Sequence, residues 1–199
     1  MARRNNGVYT VFGINAKMNK FKIRILDQYW ITKNPDNKID LCSHGLIDLR
    51  VNDNCISDET DDDWTINTAG LMLLRTVESD HYVDDTYPII PYCGQLGMIG
   101  CPISIDWTVE HQDDNVIIKD IKKYPTTDGK EVIEYKGVIV EIGKIQYARE
   151  VVRFCDSIKD YFKGKERDFK NDYNKQEWES FWQEFNNLLE KNRLILNKH

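Results

Sequence analysis

The stretch Trp64-Thr65-Ile66-Asn67-Thr68-Ala69-Gly70-Leu71-Met72-Leu73-Leu74-Arg75-Thr76-Val77 decides the fold, because it joins a strong helix signal to a strong charge anomaly. Asp58, Glu59, Asp61, Asp62 and Asp63 precede it, and Glu78, Asp80, Asp84 and Asp85 follow it. Ala69, Leu71, Met72, Leu73, Leu74 and Val77 cover more than one stripe of a helix, so burial on most of its circumference is expected, on a sheet and under a loop. Thr65 or Asn67 is expected to cap it by accepting from a first-turn amide, with the preceding carboxylates set against the positive end of the helix dipole. Gly70 costs such a helix about 1 kcal/mol relative to Ala, which implies that another segment passes close to the backbone there.

Working outward, Phe21, Ile23 and Ile25 alternate with Lys22 and Arg24, which predicts a strand from about Lys20 to Ile31. Asn34-Pro35-Asp36-Asn37 is a turn or loop. Leu46 to Val51, the turn Asn52-Asp53-Asn54 and Cys55 to Asp58 form a hairpin. On the other side of the helix, residues 82 to 102 are punctuated by Pro88, Pro91, Pro102, Gly94, Gly97 and Gly100, too densely for regular structure. Ile103, Ile105, Trp107 and Val109 alternate with polar residues as a half-buried strand, and Val116 to Ile121 pairs back on it. Val132 to Ile142 is a further strand, bent at Gly137.

The period then changes. Ile145, Ala148, Val151, Val152, Cys155, Ile158 and Phe162 recur at steps of three and four, one face of a helix from about Lys144 to Phe162 that ends at Lys163-Gly164-Lys165. After a charged linker, Glu166 to Tyr173, Asn174 and Glu177 form a capping-box pattern. Trp178, Phe181, Trp182, Phe185, Leu188 and Leu189 give the last helix one aromatic face, expected in the core. The predicted fold is α+β: a single antiparallel, meander-like sheet packed by one central helix and two C-terminal helices. Residues 1–19 form a lead-in or edge strand, 20–162 the core domain, and 174–192 a helix packed on the same domain.

With 199 residues the chain buries roughly 70% of the surface its unfolded form exposes, so neither metal nor disulfides are required for folding. Five tryptophans, seven phenylalanines and ten tyrosines exclude disorder as the overall state. No apolar run follows the basic Met1-Ala2-Arg3-Arg4 start and none is long enough to span a bilayer, so a cytoplasmic protein without membrane contact is expected. Cys42, Cys55, Cys93, Cys101 and Cys155 are odd in number and irregular in spacing, the pattern of reduced thiols.

The net charge of −6 is unevenly placed: residues 52 to 86 hold ten carboxylates against Arg75 alone, a local net of −9. A lobe of that sign repels phosphate backbones and attracts basic partners, which disfavours nucleic acid as a ligand. The expected partner-binding residues are Asp58, Glu59, Asp61, Asp62, Asp63, Asp80, Asp84 and Asp85, and the expected partner is a basic protein. Three other constellations each admit a chemical role beside an ordinary structural one. Cys42, His44, Cys93 and Cys101 are the candidate ligands of a tetrahedral zinc site, although no Cys-x-x-Cys pair is present and free thiols are the preferred reading. Cys93, His111 and Asp106 supply the parts of a nucleophilic triad without any local sign of activation. The Gly-x-x-Gly-x-x-Gly of residues 94–100 lacks the preceding strand and following helix that a phosphate cradle needs.

At Asp63-Trp64-Thr65, Leu73-Leu74-Arg75-Thr76, Ile99-Gly100-Cys101-Pro102-Ile103-Ser104-Ile105-Asp106-Trp107 and Glu177-Trp178-Glu179-Ser180-Phe181-Trp182, the chain resembles a family of uncharacterised bacterial proteins of similar size. The resemblance spans most of residues 20 to 190 and implies no particular chemistry. In general character the chain is also similar to the immunity proteins that neutralise polymorphic bacterial toxins, a likeness that carries over no residues. Together these readings predict a non-enzymatic acidic binding module without a cofactor, of the kind an immunity-type inhibitor of a basic toxin would be. The alternatives are a zinc- or cysteine-dependent enzyme and a homo-oligomer that uses the Trp178–Leu189 face.

Overall fold

Alternation of Phe21 and Ile23 with Lys22 and Arg24 gives β1 (Phe21–Tyr29), which pairs antiparallel with β2 (His44–Val51). A bulge between Ile25 and Asp27 shifts the register. Gly45 is required there, because a Cβ would lie 1.9 Å from the Asp27 carbonyl oxygen. β3 (Asn54–Ser57) and β4 (Trp64–Thr65) both pair with the opposite edge of β2. The computed structural model describes residues 20–61, 63–83, 85, 87–92, 96 and 101–198, so the expected 1–19 lead-in lies outside the described residues.

The remaining strands are β5 (Ile90–Pro91), β6 (Ser104–Gln112), β7 (Asn115–Tyr124), β8 (Ile133–Glu134) and β9 (Val140–Gly143), all antiparallel, with β8 and β9 pairing different parts of β7. They form a second sheet, which corrects the expected single meander. Alternation specifies which face a strand buries but not which edge it meets. The seam between the sheets is closed by side chains: Lys123 Nζ and Tyr135 Oη both donate to the Ile56 carbonyl, at 3.2 and 3.3 Å. The expected strand from Val132 to Ile142 is likewise two short strands, separated where Gly137 takes φ = +76°. β6 is buried on both faces through Val109, not half-buried, because His81, Val83 and Ile89 bond to Val109, Thr108 and Asp106 along it. His81 and Val109 exchange backbone hydrogen bonds of 2.9 and 2.8 Å there.

Among the described residues there are three helices: α1 (Ile66–Glu78), α2 (Lys144–Phe162) and α3 (Asp172–Leu196). α2 has the predicted bounds, whereas α3 starts before and ends beyond 174–192. Its cap is Asn171, whose side chain accepts from Asn174 N at 2.8 Å, in place of the expected Asn174–Glu177 box. The expected cap of α1 is also replaced. Thr65 Oγ1 donates to the Tyr92 carbonyl and Asn67 Oδ1 accepts from Ser43 N, while Ile66 N donates to the Ser43 carbonyl at 2.8 Å. The main chain at Ser43 therefore does what a capping side chain was expected to do.

One hydrophobic core draws on both sheets and all three helices. Phe21 of β1 stacks at 6.0 Å from Trp107 of β6 and at 5.1 Å from Tyr147 of α2, where sheets and helices meet. Phe181, Phe185 and Leu189 of α3 are buried in it, as the aromatic face predicted. The three helices cross at Gly70, where a Cβ would lie 2.5 Å from Ile158 Cδ1 and 3.0 Å from the Phe185 ring. This is the close passage that Gly70 implied. Arg75 and Glu184 tie α1 to α3 through two 2.7 Å hydrogen bonds. Among the described residues no helix is long and apolar enough to cross a membrane.

Gly70→Ala removes a helix penalty of about 1 kcal/mol but overpacks the crossing, which typically costs about 1–3 kcal/mol. Thermal denaturation should show a lower Tm for Gly70→Ala, restored in large part by adding Ile158→Val. A Tm raised by the single substitution would contradict the crossing.

Candidate docking groove

The connection between β1 and β2 is held in shape by its own asparagine and aspartate side chains. Asn34 Oδ1 accepts from Asp36 N at 3.0 Å, and Asn37 Oδ1 accepts from Ile39 N and Asp40 N at 2.9 and 3.1 Å. The Asp40 carboxylate accepts from Ile31 N at 2.9 Å and from Cys42 N at 3.1 Å, closing the loop on itself. Such short polar side chains suit turns because they hydrogen-bond to nearby backbone groups.

The linker between α2 and α3 clamps this loop from outside. The Arg167 guanidinium lies 3.9 Å from the centroid of the buried Trp30 ring and donates to the carbonyls of Asn37 and Asp40, at 2.7 and 3.3 Å. Asp168 N donates to the Lys38 carbonyl at 2.8 Å, and Lys38 Nζ lies 3.3 Å from Glu166. Burial lowers the pKa of Arg167 from the usual guanidinium range, which is the electrostatic cost of placing it between an indole and a loop.

Loop, linker and the first turns of α3 enclose a groove of about 850 Å³, with Ile31, Ile39, Leu41, Leu96 and Tyr173 among its lining. Ile31, Ile39 and Tyr173 are 64%, 58% and 67% exposed, although Ile31 and Ile39 sit on a loop whose backbone is tightly bonded. The rim carries Asp36, Asp168 and Glu177 on one sign and Lys38 and Lys170 on the other. Lys38 is answered by Glu166, whereas among the described residues the three rim carboxylates have no ion-pair partner.

The acidic segment has internal roles of its own. Asp63 accepts from the Tyr29 hydroxyl, and Asp40 and Asp63 both act on the buried His44 ring. Asp61 pairs with Lys123. Asp58 accepts from Thr60 N and Oγ1 at 2.9 and 2.7 Å, which lowers its pKa, and Glu59 is exposed. Beyond α1, which spans about 20 Å, Asp80 accepts from His111 N and lies 2.8 Å from His111 Nδ1. Asp85 accepts from Tyr82 N and is exposed, while Asp62 and Asp84 lie outside the described residues.

The zinc candidates are distributed differently. Cys42 is buried, and desolvation, followed by the Asp40 charge, pushes its thiol up to about 12. His44 is buried 3.9 Å from Asp40, Cys101 is half-buried, and Cys93 lies outside the described residues. Among the described residues no three His, Cys, Asp or Glu side chains are gathered as a metal would need. Of the triad parts, Asp106 meets His81 Nε2 at 2.8 Å instead of His111, and it also accepts from Ile89 N at 3.1 Å. Both members are buried, and they pin His81 and Ile89 to β6. Sequence reasoning missed His81, Arg167 and the two exposed isoleucines. The one local signal was a turn-like Asn34-Pro35-Asp36-Asn37 flanked by isoleucines, an unusual pairing of loop chemistry with aliphatic bulk.

No protein-family model, curated protein or solved structure matches the chain.

Two measurements probe these pairs. Burial outweighs the neighbouring carboxylates and lowers the His44 pKa below 6.5, so the unfolded chain binds the proton first as pH falls. The contribution is present above that value and is lost as pH falls from it toward the depressed native pKa. Chemical denaturation should show stability rising with pH across this window, and His44→Gln should flatten the rise. Asp106→Ala should cost about 3 kcal/mol or more, since it strands His81 and Ile89 N in the interior; a stability within 1 kcal/mol of wild type would refute the pinning role.

Proposed function

We propose that the protein is a non-enzymatic binding module whose acidic face docks onto a basic protein, in the manner of an immunity-type inhibitor of a basic toxin. The observation that carries this reading is a carboxylate face that is only partly neutralised. Asp36, Asp168 and Glu177 are without ion-pair partners among the described residues. Asp27 and Asp63 extend the same sign around Tyr29, where both act on its hydroxyl. Glu59 and Asp85 add exposed charge at either end of α1. Such a field raises encounter rates with a cationic surface and repels nucleic acid. Asp58, Asp61, Asp63, Asp80 and Asp85 contribute to it while bonded internally, so their substitution would mix binding with stability.

Immobilised protein incubated with lysate of its native host should retain a basic protein that is released by salt. Reversing Asp36, Asp168, Glu177 and Glu59 to Lys should slow association with that protein by about tenfold or more and flatten its salt dependence. The Tm should change little, because these side chains are exposed or form no ion pair. A retained partner that is acidic, or whose association is indifferent to both salt and charge reversal, would overturn the proposal.

A further inference from the structure

We infer that the groove between the β1–β2 loop and the start of α3 is the docking site itself, and that it receives an amphipathic basic segment of the partner. The inference rests on the protein-binding reading above and adds the place and chemistry of recognition. The segment sets apolar side chains among Ile31, Ile39 and Tyr173 and directs lysines or arginines toward Asp36, Asp168 and Glu177.

Three features lead there. First, the walls are preformed. The Asn34, Asn37 and Asp40 hydrogen bonds, the Arg167 clamp and the bond from Asp168 N to Lys38 O already hold the loop, so little ordering cost falls on binding. Second, a concavity of about 850 Å³ is at the upper end of ligand-site volumes, and its three most exposed apolar side chains have no internal function that explains their position. Third, the charge selects the occupant. With Lys38 held by Glu166, the rim presents three unpaired carboxylates against Lys170. The positive end of α3 does not reverse that sign, because Asn171 caps it and Asp172 lies in its first turn. A second copy of the chain would bring like charges together, and a phosphate-bearing ligand would meet the same repulsion.

The test uses three fluorescent model peptides of about 18 residues, or five helical turns: leucine with lysine at helical spacing, leucine with glutamate, and serine with lysine. Binding to the full chain is followed by anisotropy and located by amide chemical shifts. The leucine–lysine peptide should bind with micromolar affinity and shift amides within residues 31–41 and 168–177, and the other two should bind at least tenfold more weakly. Ile31→Ser with Ile39→Ser, and separately Asp36→Asn with Asp168→Asn and Glu177→Gln, should each weaken it about tenfold. Asp113→Asn with Glu131→Gln, both exposed and outside the groove, should leave it unchanged. Equal binding of the serine–lysine peptide, shifts confined to residues 58–63, or equal loss in the outside variant would overturn the groove assignment. So would a dimer in sedimentation that the isoleucine substitutions abolish, which would make the occupant a second copy. Should the lysate partner bind the groove variants at full strength, the protein-binding reading survives and this inference falls.

Discussion

The approach of three helices at a single glycine governs how the rest of the chain can be arranged. Because Gly70 has no side chain, Ile158 and Phe185 can occupy the space against the α1 backbone, and Cys155 can donate its thiol to the Gly70 carbonyl at 3.4 Å. That proximity fixes α2 and α3 relative to α1, and α1 is in turn fixed to the first sheet through Asn67 and Ser43. Apolar burial supplies the driving force, but it is non-directional. The glycine supplies the geometry, and the Arg75–Glu184 pair adds a second tie between α1 and α3.

From this crossing the groove follows by connection. α2 ends at Phe162 and α3 begins at Asp172, so the linker between them has to pass the open end of the first sheet, where β1 and β2 are joined by their loop. Arg167 exploits the meeting by stacking on Trp30 and taking two loop carbonyls. Lys165 adds a cation 3.1 Å from the Tyr161 ring centroid on the same wall. Asn37 and Asp40 spend their side chains on the loop's own amides, while Ile31 and Ile39 remain exposed.

Periodicity made the local elements legible. Steps of three and four from Ile145 to Phe162 gave the bounds of α2, and the alternation from Ile103 to Val109 located β6. Gly70 in an apolar helix announced a close neighbour, though not which one. What could not be read was pairing across distance. Lys123 reaching the Ile56 carbonyl, His81 meeting Asp106 and Arg167 meeting Asn37 are contacts between segments with no common sequence pattern. The same holds for the acidic segment: its charge was plain in the composition, but its division into internally bonded and free carboxylates depended on where Lys123, Tyr29 and His111 arrived.

The Arg167 clamp joins stretches of chain that lie far apart in the sequence, yet no strand or helix of the core runs through it. Its loss would leave the crossing at Gly70 and both sheets intact while freeing one side of the cleft. The cleft and the folded scaffold are thus supported by different parts of the molecule. The linker can therefore drift in composition, and reshape the cleft, without endangering the scaffold beneath it.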